Sequence, residues 1–154
     1  MNQLVYELMD CPCHPEPVNW NWFVENARLF DKVDKATSES LAQKYDCKVK
    51  ECYYNTWKAD ITGKYTYYEG YAIRDDIPLR LAHSWLVDNN GKVLDPTLSL
   101  RNGYAQQYIG IAINRTWLNT IAFKLKRTGE FLPQWYEKEM KASYHLVKME
   151  VLDK

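Results

Sequence analysis

LAHSWLVDNNGKVLDP, residues 81–96, sets an apolar run and a second, shorter apolar run on either side of a polar turn. Such a pattern reads as a β-hairpin. The turn Asp88-Asn89-Asn90-Gly91-Lys92 suits a three-residue loop in which Gly91 takes the left-handed position of a G1 bulge, where a side chain would clash. Pairing Asp88 with Lys92 then sets Trp85 opposite Asp95 and His83 opposite Thr97. His83 and Asp95 become diagonal neighbours on one face, with Cβ atoms roughly 7 Å apart or a little less. An imidazole N–H and a carboxylate can meet across that gap. A two- or four-residue loop would send the pair to opposite faces, because side chains alternate along a strand.

Outward from the hairpin, KYTYYEGYAIRD (64–75) and YAQQYIGIAI (104–113) read as two further strands, rich in tyrosine and isoleucine. Asn114 can cap a helix running to about Arg127, with Gly129 as its stop. Lys124, Lys126 and Arg127 then form a solvated helix end. Nearer the N-terminus, VNWNWFVENARLFDKVDKA places Trp22, Phe23, Ala27, Leu29, Phe30 and Val33 at helical spacing. SESLAQKYDCKVKECYYNTWKAD reads as a helix capped by Ser38, a break near Asp46, and a second helix that begins close to Cys52. The closing WYEKEMKASYHLVKMEVL is expected to give a helical turn or two and a last strand. Helices first, then an antiparallel sheet, then a helix, define an α+β chain.

The chain has 154 residues, 46% of them hydrophobic, with six tryptophans and twelve tyrosines. That length and composition match a single folded domain, 1–154, behind an irregular lead-in at 1–17 where Pro12, Pro15 and Pro17 prevent a regular helix. Lysine plus arginine and aspartate plus glutamate balance at 20 each, so no basic excess points to nucleic acid or an anionic membrane. The N-terminal stretch lacks the basic start and apolar run of a signal peptide, and no window reaches the roughly 18 apolar residues of a span. A cytoplasmic location with reduced thiols is the expectation.

A nucleophilic cysteine must react as thiolate, and a helix N-terminus stabilises that anion through its unpaired N–H groups. Cys52 occupies such a position. Taken singly, Cys52 could be a small core residue, His83 a strand histidine and Asp95-Pro96 a strand-ending turn. In combination they supply nucleophile, base and orienting acid. Asn55, one turn into the Cys52 helix, is placed to line such a site. Gln43 reads as an exposed helix residue.

The pattern Cys … Gly-Tyr … His-x-Trp … Gly-x-Val-x-Asp-Pro-Thr resembles the transglutaminase-like superfamily, a papain-related fold with a Cys-His-Asp triad in that chain order. The matching pieces are Cys52, EGYA at 69–72, HSW at 83–85 and GKVLDPT at 91–97. YIGIAINRTWLNTIAF, 108–123, also resembles the downstream strand and helix of small bacterial and phage members. The resemblance implies a papain-like architecture, N-terminal helices packed on an antiparallel sheet. It implies Cys52 as nucleophile, His83 as general base and acid, Asp95 as the residue that orients His83, and Trp85 as a wall of the site. Lys50 stands where the family carries glycine two residues before the cysteine.

CPCH, residues 11–14, with Cys47 raises the possibility of zinc through Cys11, Cys13, His14 and Cys47. A matching second pair is missing, so no metal and no cofactor is expected. The expected function is a thiol enzyme, peptidase, deamidase or acyl transferase, acting on an amide or ester carbonyl of a protein or peptide substrate. The alternative is a catalytically inactive relative, such as a phage protein that binds a host protein partner.

Overall fold

Asp88 closes the hairpin loop as its residue types dictate. Its N–H donates to the Lys92 carbonyl at 3.0 Å, and its own carbonyl accepts the Gly91 N–H at 3.0 Å. The Asp88 carboxylate accepts the N–H groups of Asn90 and Lys92, each at 2.8 Å. Gly91 sits at φ +75, the left-handed region open to glycine. Val87 pairs with Val93 and Leu86 with Leu94, the register that follows from pairing Asp88 with Lys92.

The computed structural model describes residues 19–101, 103–126 and 128–152, the side chains of 77–79 and 143–152 excepted. The proposed lead-in, with Cys11, Cys13 and His14, and Arg127 lie outside the described residues. In chain order the elements are α1 (Trp20–Asn26), β1 (Arg28–Phe30), α2 (Lys35–Lys44), α3 (Cys52–Ala59), β2 (Thr66–Arg74), β3 (Ile77–Val87), β4 (Val93–Leu94), a 3-10 turn (Leu98–Arg101), β5 (Gln107–Ile113), α4 (Arg115–Leu125) and α5 (Leu132–Leu152). The architecture is α+β, with an antiparallel sheet in the order β1-β5-β2-β3-β4. No helix among the described residues is long and apolar enough to cross a membrane.

Contacts divide the chain into two compact units, Ala27–Glu130 and the pair of segments Met1–Asn26 and Phe131–Lys154. In the latter, Asn19 caps α1 by accepting the Trp22 N–H at 3.1 Å, and Trp22 packs edge-on against Tyr136 of α5 at 4.9 Å. The helical spacing read through Val33 ends at Asn26, whose side chain turns back to the Trp22 carbonyl at 2.8 Å. Arg28 to Phe30 instead pair with β5, so ladder bonds with a distant strand override the local periodicity. The C-terminal segment stays helical to Leu152 in place of the expected last strand. Its Glu, Lys, Met, Ala and Leu are strong helix formers, and Glu137 and Lys141 add an i,i+4 pair at 2.6 Å.

The unit 27–130 carries the sheet. Gly70 of β2 lies opposite Gly110 of β5 on one side and His83 of β3 on the other. A Cβ at Gly70 would collide with the Ile109 carbonyl, and one at Gly110 would come within 2.6 Å of the Trp85 ring. The two glycines let the strands close up and the indole lie across β5. The sheet curls far enough that the chain leaving one edge strand, β1, bonds the opposite edge strand. Val33 bridges Val93, Asp34 N–H donates to the Val93 carbonyl at 2.9 Å, and Val93 N–H donates to the Lys32 carbonyl at 2.8 Å. Inside the curl lie Tyr68, Ala72, Trp85, Val87, Val93, Leu98, Ala105 and Tyr108.

Two helices then reach the site. Asp34, at the end of the Val33 bridge, takes the N-cap of α2 by accepting the Thr37 N–H at 3.0 Å, so Ser38 falls inside the helix rather than at its cap. Because β4 ends at Leu94, the Ser84 carbonyl of β3 lacks a strand partner on that side. Thr56 of α3 donates its hydroxyl there at 3.1 Å and accepts the Ser84 hydroxyl at 3.1 Å, which seats α3 along the vacant edge.

Candidate active site

Cys52 is the first residue of α3 and is partly exposed. The chain enters that helix through Lys50, which holds φ +67, a conformation that favours glycine. Asn55 ties the entry loop down. Its amide nitrogen donates to the Lys48 carbonyl at 2.6 Å and the Thr97 hydroxyl at 3.0 Å, while its oxygen accepts the Lys48 N–H at 3.1 Å. Asn55 is fully buried, with its polar atoms engaged inside the fold. Gln43 is exposed.

His83, on β3, is 4% exposed. Its Nε2 lies 2.8 Å from Asp95 Oδ2, and Cys52 lies near enough to the ring to influence its charge. With Nε2 turned to Asp95, the nitrogen left for Cys52 is Nδ1. Burial works against a charge on this ring, but the Asp95 carboxylate and its hydrogen bond, followed by Cys52, outweigh it and raise the pKa to about 10. Trp85 backs the imidazole, its rings near parallel with His83 at 6.4 Å, and is itself fully buried between Tyr68 and Tyr108.

Asp95 follows β4 directly and has no exposed surface. Strand pairing stops at Leu94, so Asp95 reaches His83 from the turn rather than from an extended ladder. Oδ1 accepts the N–H groups of Thr97 at 3.0 Å and Leu98 at 2.9 Å, capping the 3-10 turn. Oδ2 accepts the Tyr108 hydroxyl at 3.0 Å beside His83. The Asp95 N–H donates to Ser38 Oγ at 2.9 Å, and that hydroxyl donates to the Asp34 carbonyl at 2.6 Å. Helix α2, the 3-10 turn, β3 and β5 all converge on this one residue.

The structure thus joins His83 to Asp95 by a hydrogen bond and sets Cys52 near the His83 ring, with Asn55 and Trp85 buried close by. Sequence reading missed Tyr108 and Ser38. The strand alternation of YIGIA carried a usable signal, since Tyr108 and Gly110 must share a face. Among the described residues no group of three metal-ligating side chains occurs, and burial raises the Cys47 thiol pKa. Away from the sheet, Tyr54, Trp57, Ala122, Phe123, Lys126 and Thr128 line a cavity of about 460 Å³. Compared with family models, curated proteins and solved structures, the chain matches none.

Proposed function

We propose that the protein is a thiol enzyme of transglutaminase-like type that acts on an amide or ester carbonyl. The observation that carries this reading is His83, bonded to a buried, fully hydrogen-bonded Asp95, with Cys52 near its ring. The papain-like relationship draws support from the chain order Cys, His, Asp and from the helix that presents the cysteine to the sheet. With the raised pKa of His83 holding the ring as imidazolium, the proton already resides on His83 when the Cys52 sulfur bonds to the carbonyl carbon, and the tetrahedral oxyanion forms beside the first N–H groups of α3. Collapse breaks the bond to the amine or alcohol, which leaves with the proton from His83. Water or an amine then attacks the thioester and frees Cys52. Asp95 stabilises the charged imidazole and fixes its tautomer. Trp85 and Asn55 enter as buried supports of His83 and of the Cys52 loop. The substrate class proposed is a protein or peptide.

Iodoacetamide labelling of each cysteine across pH, read by peptide mass spectrometry, tests the proposal. Cys52 is expected to label roughly tenfold faster than Cys47 at neutral pH, and His83→Ala is expected to remove that advantage. Equal rates in a folded protein, unchanged by His83→Ala, would overturn it. That outcome favours the reading as a binding module, for which the exposed Phe123 at 62% and Tyr54 at 41% supply a contact surface.

A further inference from the structure

Asp95 Oδ2 serves two donors at once, His83 Nε2 at 2.8 Å and the Tyr108 hydroxyl at 3.0 Å. The direction of the second bond is set from behind. The Ala105 N–H points into the Tyr108 oxygen at 3.2 Å, so the phenolic proton is the one that faces the carboxylate. Tyr108 has no exposed surface, and burial, with the Asp95 charge behind it, pushes its pKa up, keeping it a neutral donor. A tyrosine that only filled the core could be replaced by phenylalanine. Here the hydroxyl ends on the same oxygen that holds the histidine.

We propose that Tyr108 is a fourth, positioning member of the site, whose hydroxyl orients Asp95 and takes up part of the carboxylate charge that faces His83. Its chemical meaning rests on the thiol-enzyme reading, while its physical test does not. Three titratable groups face the imidazole or its carboxylate partner besides Asp95 itself: Cys52 from α3, Tyr108 from β5, and Tyr104, which senses the Asp95 charge from the loop before β5. Removing only the Tyr108 hydroxyl leaves the others in place. The whole acceptor strength of Oδ2 then turns to His83 Nε2–H, the imidazolium is held more firmly, and its loss of a proton moves to higher pH.

The test is NMR of isotope-labelled histidine, which has three signals to follow, His14, His83 and His145. In Tyr108→Phe the His83 midpoint is expected to rise by about one pH unit, the worth of one hydrogen bond to a charged group, and its Nε2 proton to move downfield. A folded variant with both unmoved would overturn the proposal. Should Tyr108→Phe not fold, the natural protein decides it: a cross-peak between a protected hydroxyl proton and the His83 Nε2 proton is expected, and lack of one overturns the role. Cys52 labelling in the same samples separates the two readings. Slow labelling with a shifted His83 upholds Tyr108 and removes the enzyme, whereas fast labelling with an unmoved His83 removes Tyr108 alone.

Discussion

Every lone-pair direction of the Asp95 carboxylate is committed inside the fold, two to backbone N–H groups and two to His83 and Tyr108. A carboxylate held this way cannot swing to follow a substrate, so its effect falls on His83 alone. The consequence is measurable as stability. A histidine whose folded pKa is raised contributes stability that is complete below the unfolded value near 6.5 and is lost as pH climbs through about 10. The natural protein is therefore expected to lose stability relative to His83→Gln across that window, seen as converging urea midpoints; parallel curves would contradict the coupling. Cys52, His83 and Asp95 were legible because their chain order and the hairpin alternation are local patterns. Tyr108 and Ser38 were not, since each reaches Asp95 from outside the hairpin, through β5 and α2; alternation gives the face on which Tyr108 lies but not which strand packs beside Asp95.

At the scale of elements, the short hairpin and the glycine pair do most to place the site. Gly91 and Gly110 are needed for different reasons, which substitution separates. Gly91 has open space around it and only its positive φ resists a side chain, so Gly91→Ala is expected to cost about 1 kcal/mol. Gly110→Ala drives a methyl into the Trp85 ring and the Glu69 carbonyl and is expected to cost about 3 kcal/mol, with the His83 to Trp85 stacking disturbed as well. Chemical denaturation of both variants measures the difference, and equal losses would show that Trp85 yields freely. Strands β2, β3 and β5 and helices α3 and α4 were legible from periodicity and capping residues, Asn114 among them. The helix expected through Val33 and the strand expected at the C-terminus were not. In the first case pairing with β5 won over periodicity, and in the second the helix-forming composition won over a short alternation.

Across the unit 27–130, the curl of the sheet turns an open ladder into a holder for one buried carboxylate. The bond between the segment after β1 and strand β4 also sets the start of α2, and through Ser38 that helix returns to Asp95. Hydrogen exchange is expected to show the amides of Asp34 and Val93 protected as strongly as those of central β2, although both lie beside sheet edges. Fast exchange there would mean that the edges separate and that Asp95 loses its support from α2. By itself the sequence determined the α+β alternation, the hairpin register and the chain order of cysteine, histidine and aspartate, because each rests on side-chain alternation or on neighbours a few residues away. Only the tertiary structure decided which strand covers which edge, how Asp95 is held, and that Tyr108 joins it, because those contacts depend on a curl that no local stretch of the chain encodes.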